Sequence, residues 1–319
     1  MKAGIIGIGA VGRAAALAAM QRGSASELVL VDRTAKVSKA VALDLGYGLP
    51  LGASMRIDAG DYAALQGAGI VVVTAGVNEQ AGGATDRNDP AGRLRLLDKN
   101  VRVMQDVIPP LIAAAPDAVI LIATDPPDPL ADVVRALAPD AKVFSTGTFL
   151  DSLRFRTHLG EALGVHPRSV RADVFGEHGK SEVLHWSGAA IGGVPWKDVV
   201  AQRGIDAKSL KARVDDAVRH ANINIIEGIG ASQYGIGIVI ARLIEAVLRN
   251  EKLVIPVGIH SREHGVTFSL PCVVGAAGIE SVLQPLLDAE EQAALEKSIA
   301  TLQDALARSE ASNVAVKAA

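Results

Sequence analysis

A single cysteine, Cys272, stands in 319 residues, so no disulfide can close within the chain and no cysteine-based metal cluster can form. That shortage fits a reducing compartment; a cytoplasmic location is the expectation, and no metal site is. An excess of one charge is also missing, since 32 lysines and arginines face 35 aspartates and glutamates, a formal net charge of −3. So balanced a chain offers no field to a polyanion. Its two tryptophans, three tyrosines and five phenylalanines do not interleave with arginines as a nucleic-acid surface requires, which excludes that partner. No apolar run reaches the roughly 18 residues of a membrane span, so no membrane partner is expected. The apolar start, MKAGIIGIGAVGRAAALAAM, has spaced glycines and Arg13 in its middle, which reads as a strand and helix of the fold rather than an export signal. What is abundant is core material: 49% hydrophobic residues exclude disorder and suffice for one large core or two smaller ones, with the length favouring two domains.

Up to about residue 146, short apolar runs alternate with helix-patterned segments. Ala3–Ile8, Leu28–Val31, Met55–Ile57, Ile70–Val73, Ala118–Ala123 and Val143–Phe144 read as strands, and Val11–Arg22, Lys36–Leu45, Leu94–Ala114 and Leu130–Leu137 as helices. This alternation implies parallel βαβ units covered on both faces. Pro109-Pro110 is expected to kink or end the third helix. After Thr148 the pattern becomes α+β, with a helix over Phe149–Leu163, strands near Val170–Phe175, Glu182–Ala190, Leu253–Ile259 and Val266–Val273, and helices near Leu210–Glu227, Tyr234–Arg249 and Glu290–Ser309. The fold expected is α/β, a Rossmann parallel sheet over residues 1–146 followed by an α+β substrate domain over 147–319.

Gly7-Ile8-Gly9-Ala10-Val11-Gly12 follows the first strand and opens an alanine-rich helix. In a dinucleotide fold, Gly7 permits the tight turn, Gly9 lets a pyrophosphate approach the backbone, and Gly12 lets helix and strand pack closely, with the phosphates at the positive helix end beside Ala10 and Val11. The second strand ends at Asp32, twenty residues beyond Gly12. A carboxylate there accepts ribose hydroxyls and repels a 2′-phosphate, which favours NAD over NADP, although Arg33 next to it tolerates a phosphate. Further along, Gly176-Glu177-His178-Gly179 ends a strand, and a histidine between glycines is poorly shaped for a core. The stretch Thr146-Gly147-Thr148-Phe149-Leu150-Asp151-Ser152-Leu153-Arg154 sets Asp151 and Arg154 at i and i+3, on one helix face, either as a surface ion pair or as a pair projecting into a cleft.

These motifs, in this order and at these separations, resemble the L-lactate/malate dehydrogenase family of NAD-dependent 2-hydroxy acid dehydrogenases, closest to L-lactate dehydrogenase, along essentially the whole chain. The segment ARLIEAVLRNEKLVIPVG also looks like the family's long helix and following strand. The resemblance implies that His178 is the proton donor and acceptor, that Asp151 orients it, that Arg154 grips the substrate carboxylate, and that Arg93 polarises the carbonyl. These roles suit the chemistry, since imidazole titrates near neutrality and guanidinium binds carboxylate through two parallel hydrogen bonds. Thr74, Ala75, Gly76, Asn100 and Thr124 join the expected cofactor contacts. Val77–Gly92, glycine-rich and nearly devoid of apolar residues, would be a lid that closes over substrate and delivers Arg93. It is longer than the common family pattern.

Two departures bear on substrate. By counting from Gly76, Glu79 stands where the family discriminates substrates, and a carboxylate there disfavours a second substrate carboxylate; another register would bring in Arg87 and permit malate. Asp125 stands where the family pattern has asparagine, and an ionised aspartate cannot donate a hydrogen bond. It either pairs with Arg93 or Arg154, or takes a proton in the closed complex. Ser232 is expected to line the pocket. Arg156 and Arg171 match an effector phosphate site of some family members, with structural ion pairs as the other reading. A homo-oligomer, dimer or tetramer, is expected by resemblance. The readings left open are a lactate-like enzyme acting on a 2-oxo monocarboxylate, a malate enzyme using Arg87, and an NAD-binding protein with little turnover.

Overall fold

The structure, a computed structural model, describes residues 1–82, 92–311 and 314. Its first half alternates strand and helix: β1 (Lys2–Ile6), α1 (Ala10–Arg22), β2 (Glu27–Val31), α2 (Ala35–Gly48), β3 (Arg56–Gly60), β4 (Ile70–Val73), the one-turn α3 (Glu79–Gly82), α4 (Leu97–Ala114), β5 (Val119–Ile122), α5 (Pro127–Leu137) and β6 (Lys142–Ser145). The six strands are parallel, in the order β6-β5-β4-β1-β2-β3, the doubly wound arrangement that the alternation implies. Except on the edge strand β3, strand residues are mostly buried on both faces. Ile70 and Val72 meet α1 and the later helix over Tyr234–Leu248 on one side, and Val71 and Val73 meet α4 and α5 on the other, which is why these strands read as continuous apolar runs.

The second half comprises α6 (Phe149–Ala162), the short strands β7 (Val170–Arg171), β8 (Val174–Phe175), β9 (Val183–Leu184), β10 (Ala190–Ile191) and β11 (Val194–Pro195), helices α7 (Trp196–Gln202), α8 (Ala207–Ile229) and α9 (Tyr234–Leu248), the long strands β12 (Leu253–Ser261), β13 (Val266–Gly275) and β14 (Gly278–Val282), and α10 (Ala289–Arg308). The long strands do not form a separate sheet. β12 pairs antiparallel with β6 through Gly258 and Ser145, making one nine-stranded sheet from β14 to β3. Gly147 sits at this seam with φ +48°, and a Cβ on it would stand 2.2 Å from Ser269 Oγ and 2.5 Å from Gly258 N. Only glycine fits.

Several local expectations shift. β1 stops at Ile6 because Gly7 turns to φ +95°. Helix α4 runs through Pro109 and Pro110 and does not end there. The two prolines cost the carbonyls of Gln105 and Asp106 their helical donors, but both residues are exposed and open to water, while Val107, Ile108 and Leu111 anchor the buried face. Leu94–Leu96, expected in that helix, belong to a 3-10 turn over Gly92–Leu96. The expected strands at Val170–Phe175 and Glu182–Ala190 break into two-residue pairings, and the sequence reading had no α7 and no β14.

The site depends on how α6 is held. Ser152 Oγ donates to Thr148 O at 2.9 Å and accepts from Val174 N at 2.8 Å, and Thr148 N donates to Ser269 Oγ at 3.0 Å. These bonds tie its first turn to β8 and β13. Phe155, fully buried, packs on Trp186 with ring centroids 4.6 Å apart. Phe155→Ala is expected to cost about 3–5 kcal/mol of stability, as for other buried aromatics, read as a lowered urea midpoint at unchanged slope; a loss under about 1 kcal/mol would show that this core does not hold α6.

Candidate active site

The first turn of α6 and the end of β8 converge beside the carboxyl ends of β4 and β5, where open α/β sheets hold their ligands. Gly176, at φ +79°, exchanges backbone hydrogen bonds with Ser269 at 3.0 and 2.9 Å and turns the chain so that His178 faces α6. There His178 Nδ1 lies 2.5 Å from Asp151 Oδ2, and Asp151 Oδ1 accepts from Arg154 Nη1 at 2.8 Å. Asp151 is only 1% exposed. One buried carboxylate therefore holds an imidazole with one oxygen and a guanidinium with the other, so the cleft pair and not the surface pair is what α6 builds. On the other edge of the ring, Arg93 Nη1 lies 2.5 Å from His178 Nε2. Arginine always donates, so Nε2 accepts and the ring proton sits on Nδ1 toward Asp151.

Burial alone would raise the Asp151 carboxyl, but the His178 and Arg154 charges override it and hold Asp151 well below the usual carboxylate range. Burial also works against an imidazolium at His178; the Asp151 charge overrides it, against the opposing charge of Arg93, and the net shift is upward. Asp128, absent from the sequence reading, holds the loop from below. Its Oδ2 accepts from His178 N at 2.9 Å and its Oδ1 from Ser145 Oγ at 2.5 Å, while burial pushes its carboxyl up to about 6. The only sequence signal for it was a carboxylate at the start of a helix following a strand.

Asp125 pairs with Arg93, its Oδ2 3.6 Å from Arg93 Nε, and its Oδ1 lies 3.8 Å from His178 Nε2. Ser232 Oγ lies 3.5 Å from Arg154 Nη2. Glu79 opens α3; its side chain, like the whole of Arg87 and most of the lid segment Val77–Gly92, lies outside the described part of the structure. Arg156 donates to Asp173 at 2.6 Å and to Ala172 O at 3.0 Å, the structural ion pair rather than an open anion site.

A cleft of about 900 Å³ runs from this cluster to the start of α1. Gly9, Ala10, Val11, Thr74, Gly76 and Thr124 face it, together with Arg93, Asp125, Arg154, His178 and Ser232. A Cβ on Gly9 would meet nothing within 4 Å, whereas on Gly7 it would stand 2.4 Å from Ala75 N and on Gly12 2.1 Å from Gly7 O. The first and third glycines thus close the turn, and the second leaves its backbone bare to the cleft, a cradle that fits a pyrophosphate. Thr74 Oγ1 donates to Gly7 O at 2.5 Å and steadies this loop. Asp32 accepts from Ile8 N at 2.7 Å and Thr34 N at 2.8 Å, which fixes its carboxylate at the end of β2. Asn100 stands behind the wall: fully buried, it accepts from Val77 N at 2.7 Å and donates to Asp125 O at 2.6 Å, bracing both loops.

Residues 1–145 match the family model for lactate/malate dehydrogenase, NAD binding domain, and residues 148–313 that for lactate/malate dehydrogenase, alpha/beta C-terminal domain. The chain is 40% identical over 309 residues to an L-lactate dehydrogenase of Chloroherpeton thalassium, covering 96% of this chain and 99% of that protein. It is 42% identical over 315 residues to one of Thermus aquaticus, covering 96% and 98%. Among solved structures, a lactate dehydrogenase from a Medee basin deep-sea metagenome library superposes with a TM-score of 0.88 at 31% identity, over 96% of this chain and 98% of that one.

Replacing Asp151 by Asn removes the largest charge that raises His178 and leaves burial and Arg93, which lower it, against the weaker upward pull of Asp125. The imidazole of Asp151→Asn should titrate at a clearly lower pH than in the parent, as read by NMR; an unmoved midpoint would mean that Asp151 does not set the ring's protonation.

Proposed function

The chain belongs to the lactate/malate dehydrogenase family and is an NAD-dependent 2-hydroxy acid dehydrogenase; within that activity we propose that its substrate is a 2-oxo monocarboxylate, pyruvate or a bulkier homologue, and that His178, Asp151, Arg154 and Arg93 carry the reaction. The observation that supports the monocarboxylate is the lining of the cleft. Among its described residues the only permanent cations are Arg93 and Arg154, with Arg93 already beside Asp125, while Val77, Leu150, Ala231 and Ile236 offer an apolar wall for an alkyl side chain. One guanidinium suits one carboxylate. Malate turnover would need Arg87 from outside the described residues.

In this reading Arg154, held by Asp151 along one edge, receives the substrate carboxylate and sets the 2-oxo carbon in the cleft. Bound nicotinamide supplies the hydride. His178 must carry a proton on Nε2 to deliver it to the ketone oxygen, and a protonated Nε2 can no longer accept from Arg93. Arg93 is thereby released toward the same oxygen, where its charge stabilises the developing alkoxide. Asp151 keeps Nδ1–H in place and stabilises the imidazolium. The same groups run oxidation in reverse, with neutral His178 as the base. Asp125 cannot donate to the reacting oxygen; it competes with that oxygen for Arg93.

A cytoplasmic homo-oligomer, dimer or tetramer, completes the reading, with residues 1–146 as the NAD-binding domain and 147–319 as the substrate domain. Leu17 on α1, Leu43 and Tyr47 on α2, and Tyr234 and Ile238 on α9 are exposed, although these three helices share one core cluster; apolar surface of this kind suits two-fold association. Among the described residues no single helix is long and apolar enough to cross a membrane.

NADH oxidation compared by kcat/KM across pyruvate, branched and aromatic 2-oxo acids, and oxaloacetate should favour a monocarboxylate; preference for oxaloacetate would overturn the proposal. For reduction, kcat/KM should fall as pH rises through the raised His178 value, since the protonated ring is the donor, and His178→Asn should bind NADH yet lose turnover. Asp125→Asn removes a competing ion pair and restores a donor, and should raise kcat/KM about tenfold, equivalent to about 1.4 kcal/mol. An unchanged or lower value would give the aspartate a positive role.

A further inference from the structure

Behind the Asp151–Arg154 pair lies a second cleft of about 870 Å³ that the reaction described above does not use. It shares Arg93, Arg154 and Asn222 with the first cleft, and its other walls come from Lys180 and Glu182 in the loop after His178 and from Arg219 and His220 on α8. Arg219 Nη1 donates to Lys180 O at 3.2 Å, drawing α8 and the loop together. Glu182 is the unexplained member. It is 5% exposed, and its Oε1 is buried without a hydrogen-bond partner, an unfavourable state unless something supplies the missing bond.

We propose that this second cleft is a subsite for a small oxyanion, a carboxylate or a phosphate, held by Lys180, Arg219 and the Glu182 carboxyl group. Among the described residues, Arg93, Arg154, Lys180 and Arg219 line it together with Asp151, which is itself paired with His178 and Arg154, while Arg93 also lies beside Asp125. Burial, with the Asp151 charge adding to it and Arg219, His178 and Arg154 opposing, pushes Glu182 up to about 8. At neutral pH the group therefore keeps its proton and is a buried donor that lacks an acceptor, which an anion provides. His220, the remaining titratable group on α8 at the cleft, is paired with Asp216 at 3.0 Å. Because Arg93 and Arg154 face both clefts, an anion in the second draws on the guanidinia that the 2-oxo acid needs in the first. It raises KM and leaves kcat unchanged. This competition rests on the proposed roles of Arg93 and Arg154; the anion site itself does not.

The test is calorimetric titration of inorganic phosphate into the whole protein with no 2-oxo acid present, so that it reads the site even if none is turned over. Arg219→Gln and Lys180→Gln, each checked for an unchanged melting temperature, should weaken phosphate binding about tenfold, the loss of one charge-assisted contact. Both should keep the phosphate-free kcat/KM of the parent. Phosphate binding should weaken above about pH 8 in the parent as Glu182 ionises, and less so in Glu182→Gln. If high concentrations of the 2-oxo acid inhibit the parent and not Arg219→Gln, the carboxylate itself is an occupant; if phosphate raises KM and excess substrate does not inhibit, phosphate is. Equal phosphate affinity in the parent and both charge variants would place the anion on Arg154 in the first cleft alone and overturn the proposal, as would the absence of binding at millimolar phosphate.

Discussion

Asp151 has two oxygens and two obligations. One holds His178 Nδ1 at 2.5 Å and the other holds Arg154 at 2.8 Å, so a single carboxylate sets the orientation of both the proposed proton donor and the proposed substrate clamp. An unpaired charge so deeply buried would be strongly unfavourable; two charge partners make it tolerable and also keep it ionised. The surrounding structure reads as the means of keeping this carboxylate in place. Ser152 and Thr148 pin the first turn of α6 to β8 and β13, Asp128 supports the His178 backbone, and Phe155 and Leu159, four and eight residues beyond Asp151, anchor the rest of the helix in the core.

The nine-stranded sheet explains why these parts come together. The candidate cofactor cradle sits at the end of β1 and the His178–Asp151–Arg154 cluster at the junction of α6 and β8, in different halves of the chain, yet β12 continues the sheet from β6. Gly147 and Gly258 make this seam possible by lacking side chains where neighbouring atoms stand 2.0–2.5 Å from a would-be Cβ. Arg93 and Asp125 then reach His178 from the first half, so the proposed chemistry spans the seam.

What the sequence made legible is what local spacing encodes. Gly7, Gly9 and Gly12 state a backbone demand in six residues, Asp32 marks a strand end, and Asp151 and Arg154 at i and i+3 must share a helix face; the structure bears each of these out as geometry. The pairing of Asp125 with Arg93, one of two partners open at the outset, follows from tertiary proximity and not from spacing. Asp128 and Glu182 were invisible for the same reason, since a carboxylate in a sequence gives no sign that folding will bury it beside a histidine or leave one of its oxygens unpartnered. The short pairings β7 to β11 had no periodicity to read, because two residues hold no alternation. Pro109-Pro110 misled in the opposite direction: the local rule against proline in a helix was outweighed by the buried anchors Val107, Ile108 and Leu111 and by the solvent exposure of the residues that lost their donors.

In the proposed reaction Arg154 takes the substrate carboxylate while His178 and Arg93 share the ketone oxygen. The most direct measurement is a crystal structure of the protein with NADH and oxamate, a non-reducible 2-oxo acid analogue. The oxamate carboxylate should pair with the Arg154 guanidinium, with its carbonyl oxygen between His178 Nε2 and Arg93 and the Arg93 contact with Nε2 broken. Oxamate bound away from Arg154, or Arg93 still donating to Nε2 with the analogue in place, would contradict it.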